Sequence, residues 1–443
     1  MNELRILVGR HYGLESKHET TMILEKILPY LQKKFDVTII WFFYLPEKVN
    51  SITTSNAGIE IVDVHDFNNA VDLIKKIKPD IIFDNEFPSL MDLAIDTAAK
   101  YFNIPVVSKV NSSTEYKITK WQILTSFLPS FFHSSMPYEQ SNKKQFMRRG
   151  RFFIYKYLFF LKTLRATKMN LFNIIKYFFI VLNWHLNYTV PFLDSRFANT
   201  LHYTENEEVA KRMVESGFPK DCVTITGNPM YDDVFKKYNE SKPLINHDKK
   251  TRVLLAPLQL YESGVWTKKQ RDFTIAVTVK NILKNEDFLL SVKLHPTSQV
   301  YNEYEIIIHS INSSIPIFQK GGIIDYLDEA DVIVSFVPIS SVAIFPLIAH
   351  KPLVLCNFFG YKNDTFLERR LAIECKNPAE LTNAIRKSIS QEESISTEKI
   401  DDFIRKFLYK SDGHSAERLA EAIEKIVIQN RTNSGNNKKS YLK

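Results

Sequence analysis

Cysteine is scarce in this 443-residue chain, which contains only Cys222, Cys356 and Cys375. An odd number at wide spacing fits neither a disulfide framework nor a zinc site, and it indicates a reducing compartment. The amino terminus, MNELRILVGRHYG, lacks an apolar segment of signal-peptide length and predicts a buried strand followed by a loop. We therefore predict a cytoplasmic protein.

Acidic residues are absent between Glu139 and Asp194, whereas the same stretch contains ten lysines and arginines. The net charge of the whole chain is +8, so everything outside this stretch is slightly negative. Hydrophobic residues at 44% and charged residues at 24% are typical of a globular protein and exclude disordered and multi-spanning membrane classes. The basic character therefore belongs to one segment.

That segment, residues 140–193, interleaves its basic residues with many aromatic ones. Its most apolar window, Leu171–Val190, contains Lys176 and several asparagines, which argues against a transmembrane helix. Nothing else in the chain supports a nucleic-acid site. We predict two amphipathic helices that bind an anionic membrane surface through residues 143–192 and attach the protein to the inner face of the membrane. The alternative is a pair of core-packed helices with a solvated basic face.

Elsewhere, short apolar runs alternate with amphipathic stretches of 10–15 residues, which predicts parallel sheets built from βαβ units. This pattern occurs twice. We predict an α/β protein with two Rossmann-like domains, residues 1–226 and 227–429, around a central cleft. The hinge is expected within Gly227–Asp248, and residues 430–443 are expected to form a disordered tail.

Ligands of open parallel sheets bind beyond the carboxyl ends of the strands. In the second half, KLHP ends a strand with His295, and Ser340 and Ser341 open a helix after another strand, preceded by Ser335. Hydroxyls and free N–H groups at a helix start suit an anion such as a nucleotide phosphate. The alternatives are a plain helix cap for the serine pair and a surface loop position for the histidine.

Three segments carry a family resemblance: TITGNPMYDDV, LSVKLHP and YLDEADVIVSFVPISSVAIFPLIAHKPLVLCN. In this order they resemble the C-terminal half of GT-B fold nucleotide-sugar enzymes. The nearest groups are surface-polysaccharide glycosyltransferases, glycerophosphotransferases that use CDP-glycerol, and UDP-N-acetylglucosamine 2-epimerases; the His-Pro and Ser-Ser combination is also similar to sialyltransferases that use CMP-sugars. The resemblance covers residues 199–357 well and the first 110 residues in pattern alone.

The resemblance implies that His295 and the serine pair contact donor phosphates, that Gly227-Asn228 marks the interdomain crossover, and that the loop Gln319–Ile323 lies near the base. Glu262 is a candidate for the donor sugar, with a solvated carboxylate as its alternative. The predicted donor site comprises His295, Ser340, Ser341, Ser335, Gly227, Asn228, Gln259 and Glu262.

Two departures from the family patterns bear on the activity. An epimerase would carry a GTRPE-like first loop and a Ser-Gly-Gly turn, where this chain has VGRHYGLESKHE and VPISS. Transferases of the CDP-glycerol type usually have Asp-Tyr before the serine pair, where this chain has Pro338-Ile339. The first departure weighs against an epimerase, and the second against CDP-glycerol as the donor.

The first half is expected to bind the acceptor and to supply a base that removes a proton from the acceptor hydroxyl. Glu86, next to a strand end, is the first candidate and His11 the second; for each, a solvated or capping role is the alternative. Glu15, Asp84 and Glu115 also follow strands. The sequence shows no Asp-x-Asp or metal-ligand cluster, so we predict no metal and no cofactor other than the nucleotide-activated donor.

These observations predict a membrane-associated glycosyltransferase. It would move a sugar or sugar-like unit from a nucleotide-activated donor to a lipid-linked or surface-glycan acceptor. The alternatives are a nucleotide-sugar epimerase similar to UDP-N-acetylglucosamine 2-epimerase, and a non-catalytic membrane scaffold.

Overall fold

The computed structural model of the protein describes residues 2–10, 19–49, 52–55, 58–84, 89–110, 143–187, 199–239, 250–262, 264–296, 298, 300–337, 341–362, 364–390 and 396–440. The described strands are β1 (Asn2–Arg10), β2 (Phe35–Phe43), β3 (Ile52–Ser55), β4 (Ile59–Asp63), β5 (Ile81–Asp84), β6 (Val106–Val110), β7 (Leu201–Thr204), β8 (Val223–Ile225), β9 (Thr251–Leu255), β10 (Phe288–Lys293), β11 (Ile317–Phe318), β12 (Val332–Phe336), β13 (Leu353–Cys356) and β14 (Ile373–Cys375).

The α-helices of the first half are Glu19–Leu31, Ala70–Ile77, Leu90–Phe102, Lys143–Ala166, Leu171–Asn187 and Glu207–Glu215. Those of the second half are Asp232–Asn239, Lys268–Leu283, Tyr301–His309, Ile344–Ile348, Thr365–Glu368, Leu381–Ile389, Thr397–Phe407 and Ser415–Ser440. We call Lys143–Ala166 the inner helix, Leu171–Asn187 the outer helix and Ser415–Ser440 the closing helix.

The strands form two sheets, as the alternating pattern predicted. The first has the order β3-β4-β2-β1-β5-β6-β7-β8, parallel except for the β3–β4 pair, and the second has the order β11-β10-β9-β12-β13-β14 and is parallel throughout. Chain order reverses between β1 and β5 in the first sheet and between β9 and β12 in the second. A crevice forms at such a reversal, because the helices on either side cover opposite faces of the sheet.

The central strands are largely apolar because helices cover both faces of each sheet. All five residues of β12 and all four of β5 are buried. One face of the first sheet packs on helices Ala70–Ile77 and Leu90–Phe102, and the other packs on helix Glu19–Leu31 and on the closing helix.

The closing helix lies on the first domain although it comes at the end of the chain. Its residues Leu419, Ile423 and Val427 are buried among those of β1 and helix Glu19–Leu31. The helix also continues past Asn430, where a disordered tail was predicted. Arg431 donates a hydrogen bond to Asp80 at 2.8 Å, which holds this part of the helix to the first sheet. The predicted start of the tail is therefore corrected.

The inner helix is packed into the first domain by one face. Phe159, Phe160 and Leu164 are buried in the core with helices Ala70–Ile77 and Leu90–Phe102. The Thr163 hydroxyl accepts a hydrogen bond from the N–H of Ala70 at 3.0 Å, at the start of helix Ala70–Ile77. By this face the inner helix belongs to the core of the first domain, as the core-packed alternative has it. The attachment of the segment to a membrane stays a prediction. Within the described ranges, no helix has the length and hydrophobicity needed to cross a bilayer.

A buried polar network lies beneath helix Leu90–Phe102 of the first domain. His202, on β7, accepts a hydrogen bond at Nε2 from the backbone N–H of Asn199 at 2.8 Å, and the Asn199 amide donates to Asp96 at 3.2 Å. Burial, assisted by the charge of Lys100, lowers the pKa of His202 to about 4. Burial, assisted by the charge of Asp92, raises the pKa of Asp96 to about 7. Near pH 5.5 the folded protein thus holds both groups neutral, whereas the unfolded chain has both charged.

These two shifts predict opposite pH dependences of stability. As the pH falls below 6.5, His202 gains a proton in the unfolded chain but not in the folded protein, so the contribution of His202 to stability decreases. Asp96 gains a proton in the folded protein but not in the unfolded chain, so the contribution of Asp96 to stability increases. From about pH 6.5 to about pH 5, the free energy of unfolding of His202→Gln should therefore rise by about 2 kcal/mol relative to wild type. That of Asp96→Asn should fall by about the same amount. Urea denaturation at the two pH values measures both changes, and parallel curves for the variants and wild type would contradict the assignment.

Candidate functional site

Two strands meet at the reversal point of the second sheet and are joined there by a side chain. The N–H of Ala256, just beyond β9, donates to the carbonyl of Val334 on β12 at 2.8 Å. The buried Ser335 hydroxyl donates to the carbonyl of Ala256 at 2.8 Å. Ser335, which the sequence assigned to the donor site, thus lies at the floor of the crevice and holds its two strands together.

His295 follows β10 at the same edge of the sheet and is exposed to solvent. Desolvation by neighbouring protein atoms, and then the positive charge of Lys293, lower the pKa of His295. Lys293 itself is buried, and burial lowers its pKa to about 8. Its ammonium group donates to the carbonyls of Leu294 at 2.7 Å and Gln319 at 3.0 Å. A neutral imidazole beside a protonated lysine can donate hydrogen bonds to an anion in a region of positive potential.

Hydrogen bonds join the three loops that follow β9, β10 and β11. The Gln319 amide donates to the carbonyl of Ser298 at 2.7 Å, and the Ser298 hydroxyl donates to Glu262 Oε1 at 2.7 Å. The second carboxylate oxygen of Glu262 is buried and accepts no hydrogen bond within the described part of the chain. The structure therefore brings Glu262 to the same edge of the sheet as His295. Its contact with a donor sugar stays a prediction. Gln259 lies in the turn after β9 at this edge.

Arg271 supports these loops and carries no sequence signal. It is wholly buried near the start of helix Lys268–Leu283, where its guanidinium pairs with Glu303 at 2.5 Å and lies over the rings of Tyr261 and Tyr304, at 4.5 and 5.4 Å. These contacts fix the loop after β9 against the helix after β10. Arg271 is separated from Glu303 by 32 residues, and only the tertiary structure brings the pair together.

Ser341, the second residue of the predicted serine pair, begins a short helical segment after β12. Ser341 is the first residue of a 3₁₀ turn that ends at Ala343, and a helix of one further turn, Ile344–Ile348, follows. Ser340 lies outside the described residues, as does the preceding Pro338-Ile339. The assignment of the two hydroxyls to a phosphate remains a prediction.

In the first sheet, charged residues end the two strands at the reversal point. Arg10, the last residue of β1, and Asp84, the last residue of β5, are both buried. The Arg10 guanidinium lies over the Trp41 ring at 4.5 Å. The two predicted bases come directly after these strands, His11 after β1 and Glu86 after β5, but both lie outside the described residues.

A buried charge cluster that sequence reasoning missed lies next to this crevice. Lys109, on β6, contacts Glu19 at 2.5 Å and Glu205, just after β7, at 3.3 Å. Glu205 also accepts a hydrogen bond from the Asn228 amide at 2.6 Å. A lysine within the apolar run IPVVSKV was the one available signal, since a charge in a buried strand requires a partner.

Gly227 and Asn228 have structural roles at the crossover between the domains. The Gly227 N–H donates to the carbonyl of Thr204 at 3.2 Å, and its φ of +79° is accessible mainly to glycine. A Cβ at this position would lie 2.6 Å from the Ser415 hydroxyl. Asn228 accepts a hydrogen bond from the N–H of Met230 at 3.0 Å and donates to Glu205. The crossover predicted here is thus closely packed against the closing helix.

No group of three or more histidine, cysteine, aspartate or glutamate side chains suited to a metal ion occurs among the described residues.

Comparison with known proteins shows the fold. No family model and no curated protein matches the sequence. Among solved structures, S. aureus MnaA in complex with UDP is 11% identical over 95% of this chain and 96% of that one, with a TM-score of 0.51. A putative UDP-N-acetylglucosamine 2-epimerase from Listeria monocytogenes is 11% identical over 96% of each chain, with a TM-score of 0.50.

A third solved structure, UDP-GlcNAc 2-epimerase from Neisseria meningitidis bound to UDP-GlcNAc, is 13% identical over 96% of this chain and 100% of that one, with a TM-score of 0.50. The predicted fold is confirmed: the chain has the two-sheet α/β architecture of the GT-B type that these solved structures share.

The charge cluster leads to a stability prediction. Lys109→Met would leave the Glu205 carboxylate buried without its cation, which typically destabilises a protein by about 3–5 kcal/mol. The double variant Lys109→Met/Glu205→Gln removes both charges and should recover a large part of that loss. Urea denaturation of the two variants measures the difference. A Lys109→Met protein as stable as wild type would show that the cluster does not depend on the lysine.

Proposed function

We propose that the protein is a membrane-associated glycosyltransferase. It transfers a sugar or sugar-like unit from a nucleotide-activated donor to a lipid-linked or surface-glycan acceptor. The supporting observation is the edge of the second sheet, where His295, the buried Lys293 and Glu262 converge on one linked set of loops. Solved structures of the same fold contain UDP or UDP-GlcNAc, which favours a nucleotide-sugar donor here.

In this proposal the second domain binds the donor phosphates. The His295 ring, kept neutral by its lowered pKa, donates a hydrogen bond to the diphosphate, and the Lys293 charge beneath it stabilises the negative charge that develops on the leaving group. The hydroxyls of Ser340 and Ser341 add donors. Glu262 binds a hydroxyl of the donor sugar through its second oxygen, which accepts no hydrogen bond from another described residue.

The first domain supplies the base. Glu86 or His11, which follow the strands at the reversal point, removes the proton from the acceptor hydroxyl. The acceptor oxygen bonds to the anomeric carbon of the sugar as the bond from that carbon to the phosphate oxygen breaks, and the nucleotide leaves with the negative charge. Arg10 and Asp84 form the adjacent buried part of this crevice. The reaction in this form has two substrates, the nucleotide-activated donor and the acceptor.

A nucleotide-sugar epimerase similar to UDP-N-acetylglucosamine 2-epimerase is the second candidate, and the epimerases among the solved structures favour it. The VGRHYG loop and the VPISS turn favour the transferase, because both depart from the epimerase pattern. Incubation with UDP-sugars in the absence of an acceptor separates the two activities. A new sugar isomer under these conditions would establish the epimerase and exclude the transferase assignment.

The donor site is tested with His295→Ala. A panel of CMP-, CDP-, UDP- and GDP-linked sugars is first screened for thermal stabilisation of the wild-type protein, and the best donor is then titrated into the variant. We expect donor affinity to fall at least about tenfold and turnover at least about a hundredfold, since a charge-stabilising hydrogen bond is lost. His414→Ala is the matched control, because His414 is exposed and lies at the start of the closing helix. Equal affinity and turnover in His295→Ala and wild type would contradict the assignment.

A further inference from the structure

Exposed large hydrophobic side chains are concentrated on the inner and outer helices. Of the 14 such side chains among the described residues, six belong to this pair. They include Phe172, which is 76% exposed, and Leu171, which is 71% exposed. We define the apolar patch by these six residues: Ile154, Leu158, Leu171, Phe172, Ile175 and Phe179. A soluble surface rarely has so many apolar side chains in one place without a partner.

The outer helix is apolar on two sides, as far as its side chains are described, to Ile180. Ile174, Tyr177 and Ile180 face the core of the first domain and are partly buried against it. Phe172 and Phe179 point to the other side and are exposed. A helix with apolar side chains on both faces is stable in water only if both are covered. The protein covers one face, so the other requires a partner.

The charges around the patch indicate the nature of that partner. Four exposed basic residues accompany the apolar side chains: Lys162, Arg165, Lys168 and Lys176. None of them forms an ion pair with a carboxylate in the described part of the chain, and the sequence has no acidic residue between Glu139 and Asp194. Apolar side chains accompanied by such basic residues match an anionic lipid surface. The apolar side chains enter the acyl-chain boundary, and the basic side chains contact the headgroups.

A second copy of the chain matches this surface less well. In a two-fold symmetric dimer the patch would contact itself, so the four basic residues of each copy would face those of the other. Four of the six apolar residues are leucine or isoleucine, which insert into acyl chains but do not stack on nucleic-acid bases.

The patch lies close to the crevice of the first domain. The inner helix begins its packing at the carboxyl ends of β2 and β4: Tyr155 donates to the carbonyl of Val64 at 3.0 Å and stacks on His65 at 5.5 Å, and Lys156 lies over the Tyr44 ring at 5.5 Å. Ile154 and Leu158 are on the same turns of this helix. A membrane that covers the patch would therefore lie near the edge of the sheet at which we expect the acceptor.

We propose that this patch, with its four basic residues, is the surface that docks the protein on an anionic lipid bilayer. The outer helix and the exposed stripe of the inner helix lie in the interface, while the buried face of the inner helix remains in the core. This deepens the proposed function by naming its membrane partner, and it rests on that function only for the identity of the acceptor.

Vesicle co-sedimentation of the full chain tests the proposal, with phosphatidylcholine vesicles and with vesicles that also contain phosphatidylglycerol. Wild type should bind the anionic vesicles much more tightly. Phe172→Ser/Phe179→Ser should weaken that binding at least about tenfold, and Lys162→Gln/Arg165→Gln/Lys168→Gln/Lys176→Gln should do the same. The matched control is Phe273→Ser/Ile306→Ser, which changes two exposed apolar residues of the second domain and should bind as wild type does.

Measurements of thermal unfolding and of nucleotide-sugar binding distinguish a loss of membrane docking from a loss of folding or of donor binding. Both should be unchanged in the docking variants, because the altered side chains are exposed and lie on the first domain. Wild-type affinity of the docking variants for anionic vesicles, or equal affinity of wild type for neutral and anionic vesicles, would overturn the proposal. Dimerisation of wild type that is lost in Phe172→Ser/Phe179→Ser would also overturn it, since a second copy would then occupy the patch. Loss of donor binding with intact vesicle binding would instead count against the proposed function alone.

Discussion

The relation between the two sheets depends on the contact of the hinge with the closing helix. The buried Asp232 carboxylate accepts hydrogen bonds from the N–H groups of Ser415 and Ala416, at 3.0 and 2.7 Å, and so caps that helix. The body of the same helix is packed in the core of the first domain, and Lys26 of that domain pairs with Asp233 at 2.5 Å. Through these contacts the end of the chain ties the start of the second domain to the first, which sets where the two crevices lie.

Both crevices place charged groups where water is largely excluded. Lys109 and Glu205 are buried at or next to strand ends of the first domain. In the second domain, Lys293 is the buried last residue of β10, and Arg271 is buried in helix Lys268–Leu283. Each of these groups has protein partners that reduce the cost of its burial. Such groups are held in fixed orientations by their protein partners. Desolvation is also the largest cause of the lowered pKa values of His295 and Lys293.

The inserted helices show how one segment can belong to both the core and the surface. Phe159 and Phe160 of the inner helix complete the core that helices Ala70–Ile77 and Leu90–Phe102 begin, and Thr163 caps one of those helices. The outer helix packs on the inner one, with the rings of Tyr157 and Phe178 5.8 Å apart, and turns its remaining apolar face outward. The exposed residues Lys162, Arg165, Lys168 and Lys176 are thereby held on helices that pack on the first domain.

The sequence alone determined most of the strands and the largely parallel arrangement of the two sheets, because hydrophobic periodicity records which residues are buried. It missed β3 and β14, which are short strands at the edges of the sheets. It could not show what buries the strands. The partners Lys109 and Glu205 are far apart in the chain, the contact of Arg431 with Asp80 spans 351 residues, and the inner and outer helices have similar compositions. Only the tertiary structure decided these points, because a residue's own pattern of neighbours along the chain does not specify which distant element will cover it.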